Sequence, residues 1–511
     1  MRKIIRVILI SVLIFALAVF FISCGEKEQN GSNSNGDNNN PESPDSSGDE
    51  IIIEETDPDM PELPKIDMQG KVFTLLTYDD WGGSSAAADV YAGELNGEPI
   101  NDAAYNRRIK LEQEYNCQIR VAMMQTHNDA VDAYRTAVLA DDTSYDFAIT
   151  AGANFTSLLS GNYLMDFGKL SYIDMDKPYW DRNYYDSMSV AGRNFAVSGD
   201  ISKRRLECVW LMCFNKDILA ANNLESPYAL VESGRWTYEK MHEMAKAAAK
   251  DVNGDGVMTL EDDIWGLNYT GDTIMGIINC VGVKLVEVNS DGIPELTVGT
   301  EVNLERLYRI YTTMRDHTYS IDTLFKAGGG LTDLATDIGV FAENRCLFLA
   351  AASHNASYVP DKPSLRQMEV NFGIIPYPKW DTAQESYTPY TAGNYHPVIT
   401  VPQNNPDIDS TGIILEAMAY EGSKELKPAY YDSLLKTKSA RDAESEAMID
   451  YLFDNLSYDM GVMYNFGGIG GVFGYDMSTN LRANIVSVIE RNSGVWQRAI
   501  DAVVDEIEKN N

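Results

Sequence analysis

The chain opens with three cations, Arg2, Lys3 and Arg6, followed by an uncharged apolar run from Val7 to Ile22 that stops at Ser23-Cys24. The run is shorter than the roughly 20 residues a bilayer span needs, so the pattern predicts a cleaved secretory signal and not an anchor helix. From Gly25 to about Pro64, apolar positions nearly vanish outside Ile51-Ile52-Ile53, and Asn, Ser, Gly, Asp, Glu and Pro take over. Such a segment cannot bury enough surface to fold and predicts a disordered tether. Regular patterning begins at Lys71. The β-rich run Val72 to Tyr78 ends in Asp79-Asp80-Trp81-Gly82-Gly83; helical spacing follows from Asn101 to Tyr115, a strand from Gln118 to Met123, a helix from Asp129 to Leu139, and a strand from Tyr145 to Thr150. Strands separated by helices of this length predict βαβ units and a mainly parallel sheet. Ligands of such sheets gather beyond the carboxyl ends of strands, which makes Trp81 and Asn154 candidates for ligand contact.

Charge narrows the partners. There are 41 Lys plus Arg against 76 Asp plus Glu, a formal net charge of −35, which argues against nucleic acid, whose phosphates require clustered cations. Hydrophobic content of 44% supplies a core, and 511 residues suggest two or three lobes. The six cysteines show neither a disulfide framework nor the Cys-x-x-Cys spacing of a zinc site. Cys24 alone has a chemical context: a Cys after a small residue at the end of an apolar run resembles a bacterial lipoprotein signal. That resemblance makes Cys24 the lipidated mature N-terminus and places the body outside the cytoplasm, at the outer face of the bacterial cytoplasmic membrane.

The middle of the chain carries an ordered set of motifs. Phe214-Asn215-Lys216-Asp217 is followed by Asn223-Leu224-Glu225-Ser226-Pro227 and by Gly234-Arg235-Trp236-Thr237-Tyr238-Glu239; later come Gly373-Ile374-Ile375-Pro376-Tyr377-Pro378-Lys379 and Thr391-Ala392-Gly393-Asn394-Tyr395. Lys427-Pro428-Ala429-Tyr430-Tyr431 and Arg441-Asp442-Ala443-Glu444-Ser445 follow. This order resembles that of the family 1 extracellular solute-binding proteins, the sugar-capturing subunits of ABC importers, over roughly residues 70 to 470. The resemblance implies an α/β, two-lobe periplasmic-binding-protein-like fold (type II) with a hinge of crossing strands. It places the first crossing near Cys208 to Leu211 and the second between Pro378 and Gly393. The expected organisation is 1–23 signal peptide, 24–66 tether, 67–207 plus 390–425 lobe I, and 208–389 plus 426–511 lobe II. It also implies a monomer that captures a carbohydrate, an oligosaccharide, and delivers it to ABC-transporter membrane subunits. By the same alignment Trp81, Asn154, Trp180, Asp200, His354, Asn355, Asn394 and Tyr395 fall near strand ends or crossings. Aromatic faces suit sugar C–H faces, while Asp, Asn and His suit hydroxyls; a core role competes for each aromatic residue.

One local constellation points to Ca²⁺. Asp251, Asn253 and Asp255, then Gly256, the carbonyl of Val257, Thr259 and finally Asp262 match the spacing by which a twelve-residue loop wraps the ion. Gly256 permits the sharp turn, and the ion would be structural. Dockerin modules carry a similar loop in duplicate, whereas this chain has one copy; an Asp/Asn/Gly-rich surface turn is the competing reading. Trp236 and Trp265 are expected in the core, Thr237 as a helix N-cap, and His242 at the surface. An enzyme is the rival class. The chain shows no Gly-x-Ser-x-Gly elbow, no phosphate-cradling glycine loop and no His-Glu-x-x-His, so a non-enzymatic role is expected. A glycan-active hydrolase using paired carboxylates and a sensing lipoprotein that feeds no transporter are the alternatives.

Overall fold

The computed structural model describes residues 57–79, 89–322, 338, 340–356, 365, 368–393, 396–435, 442–477 and 484–509. Its first sheet has the order β11–β3–β1–β2, built from β1 (Lys71–Tyr78), β2 (Cys117–Met124), β3 (Phe147–Ala151) and β11 (Pro397–Thr400). β1 runs parallel to β2 and β3, with Leu75 opposite Val121 and Phe147, and β11 closes the other edge antiparallel to β3. The strand sequences explain these positions. Leu75 to Tyr78 are all buried, as a central strand covered on both faces requires, whereas β2 alternates buried Cys117 and Ile119 with exposed Gln118 and Arg120, the signature of an edge. The two faces of β1 feed different cores: Phe73 and Leu75 pack with Phe147, Ile149 and Ile399, and Leu76 with Ala148, Val131 and Tyr134.

The helices between these strands carry their own punctuation. Helix Pro99–Tyr115 starts with its proline in the first turn and stops at Asn116 in the left-handed region, φ 47°. In helix His127–Leu139 a capping box joins Thr126 and Asp129.

The second sheet has the order β10–β4–β9–β5–β8, from β4 (Trp210–Asn215), β5 (Trp265–Tyr269), β8 (Ser320–Asp322), β9 (Cys346–Ala352) and β10 (Phe372–Ile375). β5 is parallel to β8 and β9; β4 is antiparallel to β9 and β10, and a separate two-stranded ribbon pairs β6 (Val286–Val288) with β7 (Pro294–Leu296). β4 ends because Asn215 caps the next helix: its Oδ1 accepts the N–H of Asp217 at 3.0 Å and of Ile218 at 2.9 Å. That is the local chemistry of the Asn-Lys-Asp motif. Thr237 caps helix Tyr238–Ala248 in the same manner, and Trp236 and Trp265 are fully buried, as expected. His242, expected at the surface, is instead buried, with Nδ1 2.8 Å from the Tyr319 hydroxyl. The inner face of its helix, not the outer, carries the imidazole.

Two passages of chain link the sheets. Trp210 N–H donates to the Tyr390 carbonyl at 2.9 Å and Ala392 N–H to the Cys208 carbonyl at 2.8 Å, which pairs Val209 with Thr391 as antiparallel crossing segments.

Two expected boundaries require correction. The tether does not reach residue 66: Asp57 forms an ion pair with Lys424 at 2.8 Å and accepts the Tyr420 hydroxyl at 2.9 Å, and Leu63 packs on the lobe I core. Helix Leu426–Leu435, expected in lobe II, packs on helices Pro99–Tyr115 and Ile408–Lys424 and therefore belongs to lobe I. Its apolar residues Leu426 and Tyr430 are buried there. Among the described residues no helix is long and apolar enough to cross a membrane. Cys24, with the signal segment, lies outside the described residues.

Candidate ligand cleft at the lobe crossing

The carboxyl ends of the parallel strands define two edges. In lobe I, β2 and β3 deliver the chain to the starts of helices His127–Leu139 and Gly152–Leu159, and in lobe II, β9 delivers it to the short turn Ser353–Ala356. Gly152 sits where the lobes meet: a Cβ there would lie 2.1 Å from the Gly393 carbonyl oxygen, so a residue with a side chain would push the crossing segment away.

On the lobe I edge, Asn154 Nδ2 donates to Asn128 Oδ1 at 2.9 Å, while Asn154 Oδ1 is buried without a hydrogen-bond partner. The ring of Tyr78, at the end of β1, meets His127 edge-on at 6.1 Å. On the lobe II edge, Asn355 Oδ1 accepts the N–H of Ala352 at 2.9 Å and so closes the turn after β9. His354 beside it is exposed. The surrounding protein nevertheless disfavours its imidazolium, with Glu207 opposing that shift and Arg204 adding to it.

Between the edges lies a charged turn, Arg204–Glu207. Glu207 pairs with Lys203 at 2.6 Å. Burial works against its charge, but Lys203 and Arg204 prevail and hold the carboxyl below the usual range. Asp89 accepts the Ser202 hydroxyl at 2.9 Å and the Lys203 backbone N–H; the Arg107 guanidinium donates to the carbonyls of Ile201 at 2.8 Å and of Asp89 and Val90 at 3.1 Å. Beyond the turn, Ser353 N–H donates to the Val209 carbonyl at 2.8 Å and Val209 N–H to Ser353 Oγ at 3.1 Å, which clips the end of β9 to the crossing. His396 completes the crossing, with Nε2 2.8 Å from Ser198 Oγ, Nδ1 3.2 Å from Thr391 Oγ1 and its ring stacked on Tyr184.

The candidates therefore separate. Asn154, His354 and Asn355 lie on the two edges. Trp81, Asn394 and Tyr395 lie outside the described residues. Trp180 is a core residue, 3% exposed, whose indole N–H donates to Glu416 Oε2 at 2.7 Å, while the Tyr179 hydroxyl donates to Oε1 of the same carboxylate at 2.6 Å. Asp200 is also buried, and it binds Arg205 Nη2 at 2.5 Å and Nε at 3.2 Å. Trp180 is structural, because its indole N–H meets a partner inside the protein, whereas Asp200 uses Oδ1 on Arg205 and leaves Oδ2 buried without a hydrogen-bond partner. Sequence reasoning passed over Trp210, His396 and the Lys203-Arg204-Arg205-Leu206-Glu207 turn. Three successive cations in so acidic a chain were the available signal.

The acidic loop is shaped by its own backbone. Asp251 accepts N–H bonds from Gly254 at 2.6 Å and Gly256 at 2.8 Å, Asn253 Oδ1 from Asp255 at 2.9 Å, and Asp255 Oδ1 from Val257 at 2.8 Å, with Gly254 and Gly256 at positive φ. The carboxylate that closes the loop is Asp263, which accepts the N–H of Val252 at 2.9 Å and of Thr259 at 2.7 Å; Asp262 is exposed. Among the described residues no three acidic, His or Cys side chains converge closely enough to hold a metal. The ligand oxygens of Asp251 and Asp255 face amides in this conformation.

No protein-family model matches the sequence, and no curated protein matches it. Solved structures do match. UspC of M. tuberculosis aligns over 84% of this chain and 100% of its own at TM-score 0.54 and 13% identity. A Thermotoga lettingae ABC-transporter solute-binding protein, bound with α-D-tagatose, aligns over 85% and 100% at 0.51 and 12%. This chain has the two-lobed solute-binding-protein fold. A family 1 extracellular solute-binding protein from Bifidobacterium longum subsp. infantis aligns over 86% and 100% at 0.50 and 12% identity, so the likeness is one of fold.

Proposed function

We propose that this protein is a lipid-anchored extracellular solute-binding protein that captures a carbohydrate, an oligosaccharide, between its lobes and hands it to an ABC importer without turnover. The observation that carries the reading is the paired crossing of Val209 with Thr391 beneath two strand edges lined by Asn154, Asn128 and His354. Amides and an imidazole match the paired donors and acceptors of sugar hydroxyls. The tagatose in the Thermotoga lettingae protein of the same fold supports a saccharide. Lipidation at Cys24 and display on the outer membrane face rest on the N-terminal pattern. A Ca²⁺ in the 251–262 loop belongs to the same proposal, as a structural ion held by Asp251, Asn253 and Asp255 with the Val257 carbonyl and Thr259, and requires Asp262 to turn inward. Calorimetry of the body from Asp57 onward against a panel of saccharides, with product analysis, tests the reading: one ligand per protein and no released product is expected. Hydrolysis that depends on a carboxylate pair establishes the enzyme instead.

A further inference from the structure

Three of the described tryptophans use the indole N–H inside the protein: Trp180 on Glu416, Trp236 on the Pro376 carbonyl at 2.9 Å, and Trp265 on the Thr259 carbonyl at 3.0 Å. Trp210 does not. Its Nε1 is buried and has no hydrogen-bond partner, although the residue is only 7% exposed. A buried donor without a protein partner is costly to keep and is rare in folded proteins. Trp210 also stands at a particular place. It is the first residue of β4, opposite Ala352, the last residue of β9, so it lies on the carboxyl edge of the lobe II sheet next to the His354 turn and directly beyond the crossing. Its ring is held there by helix Gly271–Cys280, whose Gly276 leaves the needed space: a Cβ at that position would come within 3.1 Å of Trp210 Cγ.

We propose that Trp210 is a ligand-binding residue of the cleft, whose indole N–H is reserved for an acceptor oxygen of the bound saccharide, a hydroxyl or ring oxygen. The assignment rests on the capture reading. An indole donates and cannot accept, so this position selects a ligand acceptor and rejects a second donor such as an ammonium. The packed ring fixes the direction of the N–H before the ligand arrives, and opening of the lobes is what gives the ligand access to it.

The test compares Trp210→Phe with wild type in calorimetry against a saccharide the wild type binds, and in thermal melting without ligand. Phe keeps an aromatic ring at the site and removes the donor. Binding should weaken about tenfold, the loss of one hydrogen bond, while the empty protein should melt only slightly lower than wild type, by what the smaller ring's packing costs, because no native hydrogen bond is lost. Unchanged affinity together with a markedly lower melting temperature makes Trp210 a packing residue and overturns the proposal. A second measurement needs no variant: in the wild type, the Trp210 indole N–H resonance, assigned through its sequential connectivity, should shift downfield on saturation. A resonance that stays in place overturns the assignment. A wild type that binds no saccharide overturns the capture reading together with this one, whereas equal binding by wild type and Trp210→Phe removes only the role of Trp210.

Discussion

Trp180 in lobe I and Trp210 in lobe II look alike as sequence: each adjoins a strand-like stretch, and each is almost completely buried. They differ in what the indole N–H does. That of Trp180 meets Glu416, a fully buried carboxylate that also receives the Tyr179 hydroxyl, and burial raises this carboxyl even against both donors. That of Trp210 meets nothing. Burial therefore does not separate a structural tryptophan from a ligand-binding one; the state of its polar atom does. A satisfied donor ties two elements of one lobe together, and an unsatisfied one at a cleft edge is available to a ligand.

The largest expected effect comes from breaking the satisfied member. Trp180→Ala should cost about 3–5 kcal/mol of global stability, since it opens a cavity and takes a donor from a buried carboxylate. Urea unfolding measures the loss, and saccharide affinity of the folded fraction should not change. If affinity falls instead, the contrast between the two tryptophans is wrong.

Two buried histidines extend the same contrast to acid. Burial depresses His396, at the crossing, to about 3, with Arg205 adding to the effect, and depresses His242, inside lobe II, to about 3, with Lys246 and Arg309 adding. The unfolded chain takes up these protons near pH 6.5 and the native state only near 3, so the unfolded state gains as pH falls through that window. Each histidine should contribute stability that is complete above pH 6.5, with about 2 kcal/mol lost by pH 5. His396→Gln should flatten the dependence of unfolding free energy on pH between 7 and 5. A slope equal to that of wild type shows that burial does not depress His396 in the native state.

Without ligand, Trp210→Phe should lie within about 1 kcal/mol of wild type in urea unfolding, well apart from the lobe I variant. A comparably small effect is expected of Ca²⁺. If the loop takes the ion, metal-free protein should gain about 1.4 kcal/mol with calcium at ten times its Kd, and Asp251→Ala should abolish the gain. Identical melting with calcium and with chelator, in protein shown by elemental analysis to be metal-free, removes the ion from the loop. The neighbouring Asp263 sharpens this test: Asp263→Ala should destabilise the loop whether or not metal is present, because its carboxylate holds the amides of Val252 and Thr259.

What the sequence determined by itself is local. Strands β1, β2 and β3, the Thr237 cap and the stop of β4 at Asn215 follow from periodicity and from hydrogen bonds that reach two or three residues. The order of motifs carried the two-lobed fold because it records that local punctuation along the whole body. Partnership across the fold was decided only in three dimensions. Glu416 lies 236 residues from Trp180, so nothing near Trp180 announces that its N–H is taken. Helix Leu426–Leu435 joined lobe I because its apolar side found helix Pro99–Tyr115, some three hundred residues earlier in the chain. Asp262 and Asp263 are neighbours that only the loop's closure tells apart: one faces water, and the other binds two backbone amides. A hydrogen bond is satisfied by whatever group arrives within about 3 Å, and for a distant residue that arrival is a property of packing, which no window of sequence contains.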